Sequence, residues 1–282
     1  MYTKNIFILT TSCIILQFIL IVNYSNAQTL YSLNNYELLN PSGNSTISVQ
    51  ENSFIPKTSE SKLWQASLMI KPNSLGFYDL NRVGAILNYQ QSQNSLFSID
   101  VNYFGFDLFN EFAFNLAYCF LDTNFASGIA LNYNQVSFKD FGNDNLVKVD
   151  LFGKLDLSEF LNVGFYLNNL NRAYYSNYDK TVYQSLLLSA GFKSINLNNN
   201  SNYTLAGDFG TIIQINQKSN FFLIAKLSFN DLISVNSKFI TNPVISISGI
   251  SLKLLDWINF TIFFRYQRNF NFEQTFITDF KW

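Results

Sequence analysis

Val147, Val149, Leu151, Gly153 and Leu155 occupy every second position of one short run, and none of them is charged. Between them fall Lys148, Asp150, Phe152, Lys154 and Asp156. Side chains of an extended strand point alternately to opposite faces. Read as a strand, this run has one uncharged face and one charged face. A helix, with its 3.6-residue period, would mix the two sets. The same two-residue period returns along the chain. Phe97, Ile99, Val101 and Tyr103 alternate with Ser98, Asp100 and Asn102. Phe112, Phe114, Leu116, Tyr118 and Phe120 alternate with Glu111, Ala113, Asn115, Ala117 and Cys119. Similar runs cover 185–193, 203–209 and 258–267.

The non-apolar face decides between two kinds of β protein. In a soluble sandwich that face carries many Lys, Glu and Thr side chains. Here it is dominated by Ala, Gly, Ser and Asn, which suit a crowded and partly hydrated barrel interior. Only 13% of the residues are charged, against ~25% in a typical soluble domain, while 17% are aromatic. Mean hydropathy is only +0.07, which excludes a bundle of apolar helices. Tyr89, Tyr103, Tyr118 and Tyr133 close apolar faces, as expected of side chains that favour a membrane–water interface. The expected fold is all-β, an antiparallel transmembrane β-barrel. An exported sandwich with an aromatic core is the rival reading.

Three parts are expected in order. Lys4, the apolar stretch Ile6–Val22 and the small-residue ending Ser25-Asn26-Ala27 read as a signal peptide over 1–27. An uncleaved N-terminal anchor is the alternative. Cys13 is a poor lipoprotein cysteine, because the apolar run continues past it. Residues 28–61 are polar, carry Pro41 and Pro56, and form a candidate plug. Residues 62–282 form the barrel, with strands expected near 63–70, 82–91, 95–105, 110–121, 125–138, 145–156, 160–171, 182–194, 202–215, 219–229, 243–254, 258–268 and 272–282, and one more over 232–240. Single-chain bacterial barrels have even strand numbers, so twelve or fourteen strands are expected, fourteen favoured. The tight turns Leu157–Phe160 and Leu255–Trp257 read as periplasmic, and Ala173–Thr181 and Ile195–Ser201 as outward-facing loops. Phe276, Phe280 and Trp282 share one parity of the last strand and form a candidate signal for the outer-membrane assembly machinery.

Two stretches carry a resemblance: Gly105-Phe106-Asp107-Leu108-Phe109-Asn110-Glu111, and Leu161-Asn162-Val163-Gly164-Phe165-Tyr166-Leu167-Asn168-Asn169-Leu170-Asn171-Arg172. Both resemble segments of PorV/PorQ-like outer-membrane proteins of the Bacteroidota–Chlorobi lineage, relatives of FadL-type barrels. The glycine-rich opening and Asn-Pro-Ala-Gly-like motif of that family are missing; only Pro72-Asn73-Ser74-Leu75-Gly76 stands nearby. The resemblance implies a FadL-like barrel resident in the outer membrane of a Gram-negative bacterium. It carries over no ligand.

The chain contains no histidine, which removes His-based acid–base catalysis, Ser–His and Cys–His nucleophile pairs and His metal ligands. No Gly-x-Ser-x-Gly, paired CxxC or phosphate loop occurs, so neither enzyme activity nor a cofactor is expected. Cys119 reads as a buried structural thiol. Net charge is −1, which gives no basis for nucleic-acid binding. Arg82, Asp100, Glu111, Lys148, Asp150, Asp208, Lys226 and Arg265 fall on the inferred lumen faces. Charges of both signs there would pair with one another, and would also form a polar constriction that selects solutes. The expected function is a FadL-like transport or permeability barrel for small or hydrophobic solutes. The alternative is a non-transporting scaffold or accessory component that binds secretion-system proteins. In either case the first partner is the lipid bilayer.

Overall fold

The computed structural model describes residues 64–281, apart from 73–80, 93, 177–179, 197–202, 215–218, 231, 242–243 and 268–269. The expected signal peptide, the candidate plug over 28–61 and Trp282 lie outside the described residues. Sixteen strands follow in chain order: β1 Trp64–Lys71, β2 Asn81–Ser92, β3 Ser95–Phe106, β4 Phe109–Leu121, β5 Phe125–Phe138, β6 Gly142–Asp156, β7 Leu161–Asn168, β8 Tyr174–Tyr175, β9 Lys180–Thr181, β10 Ser185–Asn196, β11 Tyr203–Gln214, β12 Asn220–Phe229, β13 Ile233–Ile240, β14 Ile245–Leu255, β15 Ile258–Gln267 and β16 Phe270–Lys281. All but β8 and β9 join one closed, fourteen-stranded barrel in which each strand pairs with its neighbour in sequence and β16 closes on β1. Every pairing is antiparallel, as in Leu68↔Thr278 across the closure. The barrel has a single sheet and no free edge, which excludes the two-sheet sandwich.

Closure follows from the alternation. In β2, Val83 and Leu87 are exposed while Gly84, Ile86, Asn88 and Gln90 are buried. In β6, Asp144, Leu146, Lys148, Asp150 and Phe152 are buried while Val147 and Leu155 are exposed. Among the described side chains of the barrel strands, no charged one stands on the outward parity. An arginine or lysine facing lipid at mid-depth would cost ~2–4 kcal/mol. Strands at ~4.8 Å spacing and ~40° tilt give a fourteen-stranded barrel a backbone diameter of about 28 Å.

Aromatic rings mark both ends of the outer face. Trp64 stacks on Tyr89 at 4.4 Å, and Phe97 meets Tyr118 at 5.0 Å in a tilted pair. These pairs ring the end that holds the turns 122–124, 157–160 and 256–257 and both ends of the described chain. Tyr103 and Tyr133 lie toward the opposite end. Inside, large rings lie flat on the wall. The Phe152, Phe222 and Phe263 rings cover Gly128, Gly210 and Gly249 on neighbouring strands, so that a Cβ at any of the three would collide with the ring. A ring seated over a glycine stays out of the lumen.

Two sequence expectations need correction. The strand expected over 160–171 stops at Asn168. Asn169 and Arg172 take left-handed backbone conformations, φ 56° and 55°, which end an extended strand. Residues 173–181 stand at the end opposite the tight turns 157–160 and 255–257, the end expected of an outward-facing loop; there they carry the β8–β9 hairpin, and Tyr175 packs against the inside of the wall. The segment around Ile195–Ser201 connects β10 to β11 at the same end as 157–160 and 255–257. Strand direction reverses at each connection, so that loop and the one at 169–184 face opposite sides of the membrane.

Candidate functional site: the barrel mouth

The longest connection among those fully or partly described, residues 169–184, forms a strap across the inner wall of β5 and β6. β7 ends before its neighbour β6 does, so the upper part of β6 needs other partners. Leu170 N–H donates to the Val149 carbonyl at 2.8 Å. The Asn171 amide completes the pairing: Oδ1 accepts from Val149 N–H at 3.0 Å and Nδ2 donates to the Val147 carbonyl at 2.8 Å. Two strap residues thus continue the sheet that β7 leaves.

Asn169 fixes the strap's course. It is fully buried. Its Oδ1 accepts from Ala173 N–H at 2.8 Å, and its Nδ2 donates to the carbonyls of Ala173 and Val182 at 3.0 and 2.7 Å. One side chain therefore ties both arms of the strap together. Its own backbone N–H donates to Asp150 Oδ1 at 2.7 Å. Asp150 Oδ2 also accepts from Asn132 Nδ2 at 2.6 Å and from the Tyr166 hydroxyl. A buried carboxylate with several donors is well compensated. Gln184 closes the far arm by donating to the Asn169 and Leu170 carbonyls at 3.1 and 3.2 Å.

Tyr175 anchors the middle of the strap. It packs with Val136 and Leu146, both on the inward parity, beside Phe109, Phe138, Ala173 and Val182. Burial, with Glu111 and Asp144 nearby, pushes its phenol above the ordinary tyrosine range. The ring therefore stays neutral at physiological pH. Ser176 Oγ donates to Asp144 Oδ1 at 3.4 Å.

Across the mouth lies the seam where β16 meets β1. Glu273 is buried there between two cations, Lys71 at 2.8 Å and Arg265 at 2.7 Å. Arg265 also donates to Gln267 Oε1 at 2.6 Å. Arg82, paired in register with Lys71, lies over the Phe104 ring at 4.8 Å. Lower on the wall, Asp100 accepts from Asn102 and Asn115 at 2.6 and 2.9 Å. Lys148 donates to Asn168 at 3.3 Å.

All eight charged residues singled out from the sequence stand on the inward parity of their strands. Asp100, Lys148, Asp150, Asp208 and Arg265 are buried, and Arg82, Glu111 and Lys226 are half-buried. Arg265 joins the seam cluster and Asp150 the strap; Asp208 and Lys226 stand apart from both, on β11 and β12. Sequence reasoning passed over Lys71, Asp144, Lys238 and Glu273. The alternation held a signal for Glu273, which shares the parity of Thr275 and Ile277, opposite to Phe276 and Phe280. Phe276 and Phe280 themselves sit on the outward parity of β16, paired with Ile262 and Ile258.

No protein-family model and no curated protein matches the chain. Solved structures do. The outer membrane protein Omp33 of Acinetobacter baumannii aligns at a TM-score of 0.50 with 12% identity, over 80% of this chain and 99% of that one. A structure described as the CymD monoaromatic hydrocarbon channel aligns at 0.49 with 9% identity, over 88% and 95%. The KdgM porin aligns at 0.40 with 9% identity, over 78% and 98%. At 12% identity the likeness to Omp33 speaks to fold alone: the chain has the fold of an outer-membrane β-barrel.

Proposed function

We propose that this chain is a channel in the outer membrane of a Gram-negative bacterium, passing small solutes through a mouth narrowed by the 169–184 strap. The carrying observation is the strap itself, folded inward and anchored by Asn169, Asp150 and Tyr175. An inward loop on a closed wall reduces the cross-section of a barrel that is otherwise wide for a small solute. Among the described residues no catalytic constellation accompanies it, and we read the barrel as non-enzymatic. A FadL-like preference for hydrophobic solutes fits the apolar stretches of the inner wall, such as Met69, Leu187, Ile224 and Ile247. Residues 28–61 are the candidate plug for that passage, and Phe276 and Phe280, with Trp282, the candidate assembly signal.

One observation favours the second reading, a non-transporting scaffold for secretion-system proteins. Inner-wall charges such as Asp208, Lys238 and Glu273 are only 1% exposed, whereas charges lining a wide aqueous pore stay hydrated. Conductance in planar bilayers separates the readings. A channel gives discrete steps that grow when residues 28–61 are deleted. A silent barrel, with and without the deletion, supports the scaffold.

A further inference from the structure

The wall of the barrel is not of equal height. At the strap end β7, β10 and β11 finish level, with Asn168, Ser185 and Gln214 in register. β6 does not stop there: its last pair with β7 is Leu151↔Leu167, and Gly142–Asp150 continue beyond it. β4 and β5 rise with β6, paired to their tips at Phe109↔Phe138 and Phe138↔Gly142. At ~3.3 Å per residue and ~40° tilt, the tip of β6 stands about 20 Å above the end of β7. This rise has a hydrophobic cluster of its own, Val136 and Leu146 with Tyr175 of the strap, separate from the larger cluster of the wall.

The outer face of the rise changes chemistry along each strand. On the outward parity of β6, Leu155, Leu151, Val149 and Val147 give way to Asn145 and Asn143. On β5, Ile129, Leu131 and Tyr133 give way to Gln135 and Ser137; on β4, Leu116, Phe114 and Phe112 give way to Asn110. The change falls along one line, because the register sets Tyr133 beside Val147, Gln135 beside Asn145, and Ser137 between Asn110 and Asn143. Leu155 to Val147 spans about 20 Å of the barrel axis, near the ~25 Å apolar band of such barrels, so lipid ends at that line. Asn110, Gln135, Ser137, Asn143 and Asn145 therefore stand together just outside the acyl chains. Asn is depleted in strands, and Lys or Glu would meet solvent as well, yet none of these positions is charged. Amides and hydroxyls donate and accept without charge, which suits sugar hydroxyls; phosphates call for Arg or Lys. We propose that this face binds the saccharide head of the outer-leaflet glycolipid. It is continuous with the lipid-facing wall below it, so its occupant is the part of the same lipid that lies above the hydrocarbon. The proposal goes beyond the channel reading and does not depend on it; it rests on placing the tight turns 157–160 and 255–257 in the periplasm.

The test titrates the folded full chain in detergent with rough lipopolysaccharide, which carries core sugars, and separately with lipid A, which lacks them. Native mass spectrometry counts the molecules retained. Rough lipopolysaccharide is expected to be retained about fivefold over lipid A, the worth of one net hydrogen bond. Gln135→Ala with Asn143→Ala and Asn145→Ala should remove that ratio and leave the gel shift between heated and unheated samples intact. Should the triple variant fold poorly, Asn145→Ala alone, at an exposed position, should still lower the ratio about twofold. Lys139→Cys, at the β5–β6 tip in a Cys119→Ser background, should react with a membrane-impermeant maleimide on intact cells. Equal retention of the two glycolipids, a ratio that survives the triple substitution in a folded barrel, or a tip labelled only after the outer membrane is opened each overturns the proposal. Retention of neither glycolipid, with a protein that co-purifies with the parent and not with the triple variant, would make the face a protein-docking surface and overturn it as well. Conductance is not read, so a silent barrel sinks the channel reading and leaves this one standing.

Discussion

The seam and the strap shape opposite sides of one mouth by different chemistry. At the seam, three strands are joined by charge: Glu273 of β16 reaches Lys71 of β1 and Arg265 of β15. At the strap, amides do most of the holding. Asn171 pairs with backbone groups of β6 that the early end of β7 leaves, while Asn169 and Gln184 bind backbone groups of the strap itself. A buried charge cluster is strong only while complete, because removing one member leaves the others unpaired in a poor solvent. An amide network fails locally, one hydrogen bond at a time. The closure of the barrel is thus entrusted to the all-or-none device, and the shape of the opening to the graded one.

The largest expected effect comes from breaking the seam. Glu273→Gln leaves Lys71 and Arg265 facing each other, and should cost about 3–5 kcal/mol in urea unfolding from lipid. Replacing the whole cluster, Lys71→Met with Arg265→Met and Glu273→Leu, should recover most of that stability while erasing the charge at the mouth. Failure to recover would mean that the cluster fixes strand register as well. Next is Tyr175→Ala, which empties the strap's apolar seat. It should weaken strap docking by about 3 kcal/mol and open 169–184 to protease, with the heated-versus-unheated gel shift unchanged. Asn169→Ala should cost less, about 1–3 kcal/mol for the buried groups left unsatisfied, with faster amide exchange confined to the strap. Smallest is Asp256→Asn on an exposed turn. The Lys253 ammonium, at 2.8 Å, holds the Asp256 carboxyl below its usual value of 3.8. A lowered pKa stabilises above the unfolded value and is lost as pH falls through the folded one. Any difference between Asp256→Asn and the parent should therefore appear above pH ~4 and vanish below it. At a fully exposed site it should also be erased by salt.

The wall was readable from sequence because lipid is an exacting solvent. It forbids charge on one parity, so every strand announces its faces, as in Val147–Asp156. The strand counted only as an addition, 232–240, belongs to the wall and brings the number to fourteen. The mouth was less readable. Nothing in a period-two pattern says that Asn169 will turn left-handed, since the run Asn168-Asn169-Leu170-Asn171 continues β7's texture. Only the backbone partners of those amides reveal that the chain leaves the wall there. The seam was hidden differently. Arg265 and Glu273 meet across the β15–β16 hairpin, but Lys71 stands on the first strand, and only closure of the last strand on the first brings it to them.

Spin labels placed singly from Leu146 to Leu155 in bilayers, with oxygen and a water-soluble nickel chelate as relaxing agents, report which face of β6 meets lipid. The barrel predicts a strict two-residue period, with oxygen accessibility highest at Val147, Val149, Leu151 and Leu155 and lowest at Lys148, Asp150 and Lys154. A flat profile, or nickel accessibility on the Val147 parity, would contradict a wall whose outer face meets lipid.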